Sequence, residues 1–127
     1  MEYIGVEIFD GLIDQVFLLD NEKPIKEQWM YLHDDIGGVN YKFREYEFFV
    51  DISWMGDWNE IEKGFFRVRI FEGSSKTNGK TFFCEETKTT DLTQLKEIFQ
   101  NAINKIISIK SMSEEVIYNH IDVQWYS

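Results

Sequence analysis

A chain of 127 residues, 43% hydrophobic and 17% aromatic, is too apolar for a disordered segment and long enough to bury a core without disulfides or metal staples. Its net charge of −10 disfavours nucleic acid and anionic membrane as partners, because phosphate binding needs clustered Lys and Arg. The lone Cys84 excludes an intrachain disulfide and a thiolate metal cluster.

Such a length is most simply one domain, residues 1–127. The charge is uneven. Residues 1–62 hold 15 acids against 4 bases, a net of −11, while residues 63–110 carry a net of +4 and residues 111–127 a net of −3. A negative surface steers a basic partner into encounter, although acidity also keeps a small protein in solution. The start, Met1-Glu2-Tyr3-Ile4-Gly5, lacks the basic segment and apolar run of a signal peptide. No apolar run approaches the ~20 residues of a membrane span. The expected location is cytoplasmic.

Residues 2–9 alternate, with Ile4, Val6 and Ile8 on one phase, and read as a first strand. Asp10-Gly11 is a two-residue turn signal, which makes Leu12 to Leu19 the return strand of a hairpin; a short helix fits the same residues. After Pro24, the spacing of Ile25, Trp29, Leu32 and Ile36 suggests a short helix with one apolar stripe, ended by Gly37-Gly38. A strand is the alternative for Trp29-Met30-Tyr31. Tyr41 and Phe43 start another strand. The phase change at Arg44-Glu45 predicts a bulge or bend.

The most regular stretch runs from Tyr46 to Glu72. Tyr46, Phe48, Val50, Ile52 and Trp54 share one phase, and Phe66, Val68 and Ile70 repeat it after the loop Gly56 to Gly64. Phe82 and Cys84 resume it, so residues 41–88 read as a three-stranded antiparallel meander with one buried face. From Asp91 to Ile109, Leu92, Leu95, Phe99, Ala102, Ile106 and Ile109 recur at helical spacing, widened by Ile98 and Ile103. Asp91 is placed to cap this helix and Gln94 to complete a capping box. The tail from Ile121 to Trp125 alternates again and suggests an edge strand. The expected fold class is α+β, an antiparallel sheet of about five or six strands with the 91–110 helix on one face.

No catalytic or metal motif is present. His33 and His120 are far apart in sequence and form no H-x-x-x-H or H-E-x-x-H pattern. Cys84 lies on the apolar phase beside Phe83, Glu85 and Glu86, an environment that does not activate a thiol. The pairs Asp34-Asp35, Glu85-Glu86 and Glu114-Glu115 are adjacent in sequence, which does not place carboxylates across a cleft. The expectation is a protein without enzymatic activity, cofactor or metal.

The second phase of the meander is more informative. It carries Phe49, Asp51, Ser53, Phe65, Arg67, Arg69, Phe71, Phe83 and Glu85, more aromatics than a solvated face needs. Either the 25–36 segment or a second sheet covers this face, or it is an aromatic and acidic patch for a partner. The loop Asp57-Trp58-Asn59-Glu60-Ile61-Glu62 places a Trp among acids, either tucked inward or serving as a binding anchor.

The segment Phe48 to Gly56 followed by Phe65 to Ile70, in a small acidic aromatic-rich chain, resembles the immunity proteins of bacterial polymorphic and contact-dependent growth inhibition toxin systems. The similar part is about a third of the chain. The resemblance implies a protein that binds a cognate toxin domain, often a basic nuclease, and masks its active site. Phe49, Asp51, Asp57, Trp58, Glu60 and Glu62 are the candidate contacts on the residue reading. The alternative is a homo-oligomeric scaffold or adaptor that self-associates, as a homodimer for instance, through the tail strand or the aromatic face.

Overall fold

The computed structural model describes residues 1–73 and 82–111, apart from the side chains of Trp58 and residues 82–85. Five strands form one antiparallel sheet in chain order: β3 (Leu12–Gln15), β4 (Gly37–Phe43), β5 (Tyr46–Met55), β6 (Phe65–Glu72) and β7 (Phe82–Thr89). A separate two-stranded hairpin pairs β1 (Glu2–Tyr3) with β2 (Val6–Glu7). The helix α1 (Leu92–Lys110) completes an α+β arrangement. Two 3-10 helices, Ile25–Tyr31 and Trp58–Lys63, sit in the connections before β4 and before β6. Among the described residues no helix is long and apolar enough to cross a membrane.

The core forms because two periodicities meet. Val39 and Ile70 stand on either side of Val50, and Val68 stands opposite Ile52. Cross-strand partners share a face, so these residues make one apolar surface. Tyr46, Phe48, Val50, Ile52, Trp54, Phe66, Val68 and Ile70 are all buried. Onto this surface α1 turns Leu92, Leu95, Phe99, Ala102, Ile103, Ile106 and Ile109, also buried. Each large side chain removed from water contributes about 1.5–3 kcal/mol, so this helix-on-sheet contact dominates the stability of the fold.

Both ends of α1 are tied down. Asp91 Oδ1 accepts from Thr93 N at 2.8 Å. The expected capping box does not form. Gln94 Oε1 instead accepts from Thr89 Oγ1 at 2.7 Å, and Asp91 N donates to the same hydroxyl at 3.1 Å. Thr89 ends β7 and is well placed to take the amide that Gln94 would otherwise serve. At the far end the Lys110 ammonium is hydrogen-bonded to the Asp10 carboxylate, fastening the helix to the N-terminal segment.

The first 38 residues depart from the periodicity reading. Residues 2–9 are not one strand. The chain reverses at Ile4-Gly5, both at positive φ (57° and 71°), and Asp10-Gly11 is not a hairpin turn. Gly5 accepts this conformation without a Cβ penalty. The stretch after Gly11 does begin a strand, but β3 pairs with β4 instead of returning along residues 2–9. Tyr3 explains the arrangement: it is buried, its hydroxyl donates to Gln15 O and accepts from Gly38 N at 3.0 Å, and its ring meets Phe99 edge-on.

In the 25–36 segment, Leu32 and Ile36 are buried as expected, whereas Trp29 is exposed and Gln28 is buried in its place. Gln28 Oε1 accepts from Asp20 N at 2.6 Å, and its Nε2 donates to Asp20 O at 2.9 Å and Lys23 O at 3.1 Å. Polar satisfaction of the 20–23 turn thus overrides the apolar stripe. Gly37 and Gly38 do not terminate a helix but open β4. A Cβ on Gly37 would lie 2.8 Å from the Tyr3 hydroxyl, so this glycine permits a close approach. Arg44-Glu45, expected as a bulge or bend, is the two-residue turn of a hairpin, with Phe43 paired to Tyr46, so the meander has four strands where three were expected. The expected tail strand and His120 lie outside the described residues, as does the Cys84 side chain.

Candidate functional site

One end of the sheet brings Asp34, Asp35 and Asp57 around a cleft. Trp54 N donates to His33 O at 2.9 Å, and Ile36 N to Ile52 O at 2.9 Å. These two bonds hold the 33–36 segment alongside the end of β5, leaving Asp34 and Asp35 exposed between them. The cleft so formed has a volume of about 600 Å³ and is lined by Leu32, His33, Asp34, Asp35, Trp54, Gly56 and Asp57. Leu32 and Trp54, at 1% and 4% exposure, are its apolar floor. Three carboxylates border it, and among the described residues no Lys or Arg lines it, the nearby Arg69 being close enough to feel Asp35.

Trp54 also bounds a second recess. Ile25, Lys26, Ile61, Glu62, Gly64, Phe66 and Thr90 line, together with Trp54, an apolar hollow of about 290 Å³. The indole can lie there because Gly56 and Gly64 give it room. A Cβ on Gly64 would be 2.6 Å from Trp54 Cε2 and 2.7 Å from Nε1. The 3-10 helix Ile25–Tyr31 touches the 3-10 helix Trp58–Lys63 at this end, and it exposes Trp29, Met30 and Tyr31 to 49%, 44% and 38%. Acids, an apolar recess and exposed aromatics therefore sit on adjoining segments. Aromatic anchors beside charges are the composition of a protein-binding surface.

The six residues singled out from the sequence fall into two groups. Asp57, Trp58, Glu60 and Glu62 belong to the connection between β5 and β6, at the cleft end. Asp57 Oδ1 caps the 3-10 helix by accepting from Asn59 N at 2.8 Å, which leaves Oδ2 free of that bond. Glu60 lies 3.3 Å from Lys63 Nζ, both well exposed, so water screens the pair. Glu62 is exposed at the edge of the apolar recess. The Trp58 side chain lies outside the described set.

Phe49 and Asp51 lie on the sheet face opposite α1. Phe49 stacks on Phe71 with ring centroids 5.0 Å apart. Asp51 is clamped by Arg69, Nε to Oδ1 at 3.1 Å and Nη2 to Oδ2 at 2.6 Å. That bidentate pair raises the Arg69 guanidinium above its usual range, with hydrogen bonding to Asp51 as the main cause. Asp51 is thereby neutralised within the sheet and contributes little free charge. On this face Phe49, Asp51, Phe65, Arg67, Arg69 and Phe71 are half-buried. Ser53 Oγ and Arg67 Nε are buried there without a hydrogen-bond partner.

Sequence reasoning missed Trp29, Met30, Tyr31, Asp34 and Asp35 as surface candidates. One signal was available: three consecutive bulky apolar residues cannot all face inward on one helical stripe. Among the described residues, no group of three or more His, Cys, Asp or Glu is arranged to hold a metal ion. No family model matches the chain, and neither a characterised protein nor a solved structure is similar to it.

Proposed function

We propose that this protein acts by binding, as an immunity-type inhibitor that occupies a basic protein domain, of which a toxin nuclease is the prime example. The cleft of Asp34, Asp35 and Asp57 over a Trp54 and Leu32 floor carries this reading. It presents carboxylates to Lys or Arg side chains and apolar surface to their stems, which pack against hydrophobic groups while the charged head meets the acids. A nucleic-acid-cleaving domain displays a basic surface to its substrate, so an acidic surface seated there repels the substrate and blocks it sterically.

The test compares two baits, the natural chain and Asp34→Asn/Asp35→Asn/Asp57→Asn, in capture from lysate of the source cells. Asn keeps the helix-capping oxygen at position 57, so the variant should retain the fold. The expected result is one basic domain bound by the natural chain, toxic when expressed alone and silent when co-expressed with it. The variant should bind that domain at least about tenfold more weakly. Equal capture by both baits, or a captured domain whose activity is unaffected, would sink the proposal.

A further inference from the structure

The sheet has two described edges, and they are managed differently. The β7 edge carries Glu85, Glu86 and Lys88, the charged residues that discourage strand addition. The β3 edge is guarded only by its four-residue length and a register irregularity between Ile13 and Gln15. Residues 11–19 hold one charged side chain, Asp14, and neither Lys nor Pro. All four residues of β3 are exposed. Nine large hydrophobics are exposed among the described residues. Six of them, Met1, Phe9, Leu12, Ile13, Val16 and Leu18, lie in the first 18. Leu12, Val16 and Leu18 are each about 60% exposed, far more than a capped edge would leave.

We propose that β3 pairs, antiparallel about a two-fold axis, with β3 of a second copy of this chain, joining the two five-stranded sheets into one. The backbone itself dictates the chemistry of the occupant. The outer amides and carbonyls of an edge strand are satisfied by another extended strand, and its apolar side chains by others of the same kind. Charge decides where a second copy can approach. A chain of net charge −10 repels its own kind everywhere except where its charge is thinned, and the thinning falls on this edge. A basic partner would find Asp14 here with Glu47 nearby, against the three carboxylates that line the cleft. Two-fold pairing also closes the assembly, because each copy presents its β3 edge once. A register centred on Gln15, in which residues 16–18 extend the strand beyond β3, sets Leu12 opposite Leu18 of the second copy and Asp14 opposite its Val16, so the two Asp14 carboxylates are not directly opposed. This inference does not rest on the toxin-binding reading, which uses the cleft end.

Sedimentation of the natural chain over a dilution series, with hydrogen exchange of β3 amides at each concentration, tests it. The expected result is a dimer that dissociates on dilution, with the β3 amides that face away from β4 slowed only in the dimer. Leu12→Lys/Val16→Lys replaces two exposed residues, so the fold should persist, shown by an unchanged thermal midpoint. Its dimer should weaken by ~100-fold. A natural chain that is monomeric up to high concentration with fast β3 exchange overturns the proposal and leaves the edge open to a foreign strand. A monomer with slow β3 exchange overturns it in favour of cover from within the chain. A dimer that the lysines leave intact places self-association elsewhere and overturns it too.

Discussion

Trp54 shows how single residues set the site. Its indole separates the acidic cleft from the apolar recess, and it lies flat only because residues 56 and 64 have no side chains. A Cβ on Gly64 would meet Trp54 Cε2 at 2.6 Å, and one on Gly56 would meet Gly64 Cα at 2.8 Å. Those distances are well inside van der Waals contact, and the obstacles are a rigid ring and backbone. Gly64→Ala should therefore destabilise the protein by about 1–3 kcal/mol, the usual cost of overpacking. Gly38→Ala is the control. Its Cβ would lie 3.7 Å from both Asp14 Cβ and Val50 O, and its φ is not positive. That variant should be neutral or gain up to about 1 kcal/mol through the unfolded chain. Urea unfolding of both separates the cases. Equal midpoints would mean that the indole can move aside, and the cleft floor would then be softer than its packing implies.

The elements differ in how far their pattern reveals them. Strands β5 to β7 and helix α1 were legible because each buries one face against one neighbour, which leaves a clean period of two or 3.6, whereas β4 was merged with β5 because the tight Arg44-Glu45 turn reads only as a change of phase. The N-terminal third was not legible. Its geometry rests on tertiary tethers, the Tyr3 hydroxyl on Gly38 and the Gln28 amide on the 20–23 turn, and hydrogen bonds of this kind leave no trace in hydrophobic spacing. The site divides the same way. The acids of residues 57–62 stood out as a charged loop in the sequence. Asp34 and Asp35 join Asp57 only because two backbone bonds lay residues 33–36 along β5.

One of these tethers should be visible as acid sensitivity. The Lys110 ammonium holds the Asp10 carboxyl below its ordinary value, and the N-terminal amine does the same for Glu7, chiefly through hydrogen bonding. A depressed carboxylate stabilises the fold above its unfolded pKa and loses that contribution as pH falls through the folded value. Burial raises the Asp14 carboxyl, helped by Glu47, so its protonation favours the fold and partly offsets the loss. The natural chain should lose stability between about pH 5 and pH 2. Asp10→Asn should be less stable near neutrality yet flatter across that window, as read from urea midpoints along a pH series. Parallel curves for the two proteins would rule out a role for the Asp10–Lys110 tie.

At the scale of the whole molecule, two surfaces of opposite character share one chain. The cleft end concentrates acids within the half of the sequence that carries a net of −11, and the β3 edge is nearly uncharged. Salt acts on them with opposite signs. Attraction between the acidic cleft and a basic domain extends over about one Debye length, ~30 Å at 0.01 M and ~8 Å at 0.15 M ionic strength, so added salt slows encounter and weakens binding. Pairing of two β3 edges works against repulsion between two chains of −10 each. Screening removes that repulsion and leaves the apolar and backbone contacts almost unchanged, so added salt should strengthen the dimer. Between about 0.01 M and 0.3 M salt, affinity for the basic domain should fall by an order of magnitude or more while the dimer tightens. Titration calorimetry for the first and sedimentation for the second, over one salt series, give both slopes. Slopes of the same sign would show that the two associations use one surface, and the separation of cleft from edge would fail as an account of this protein.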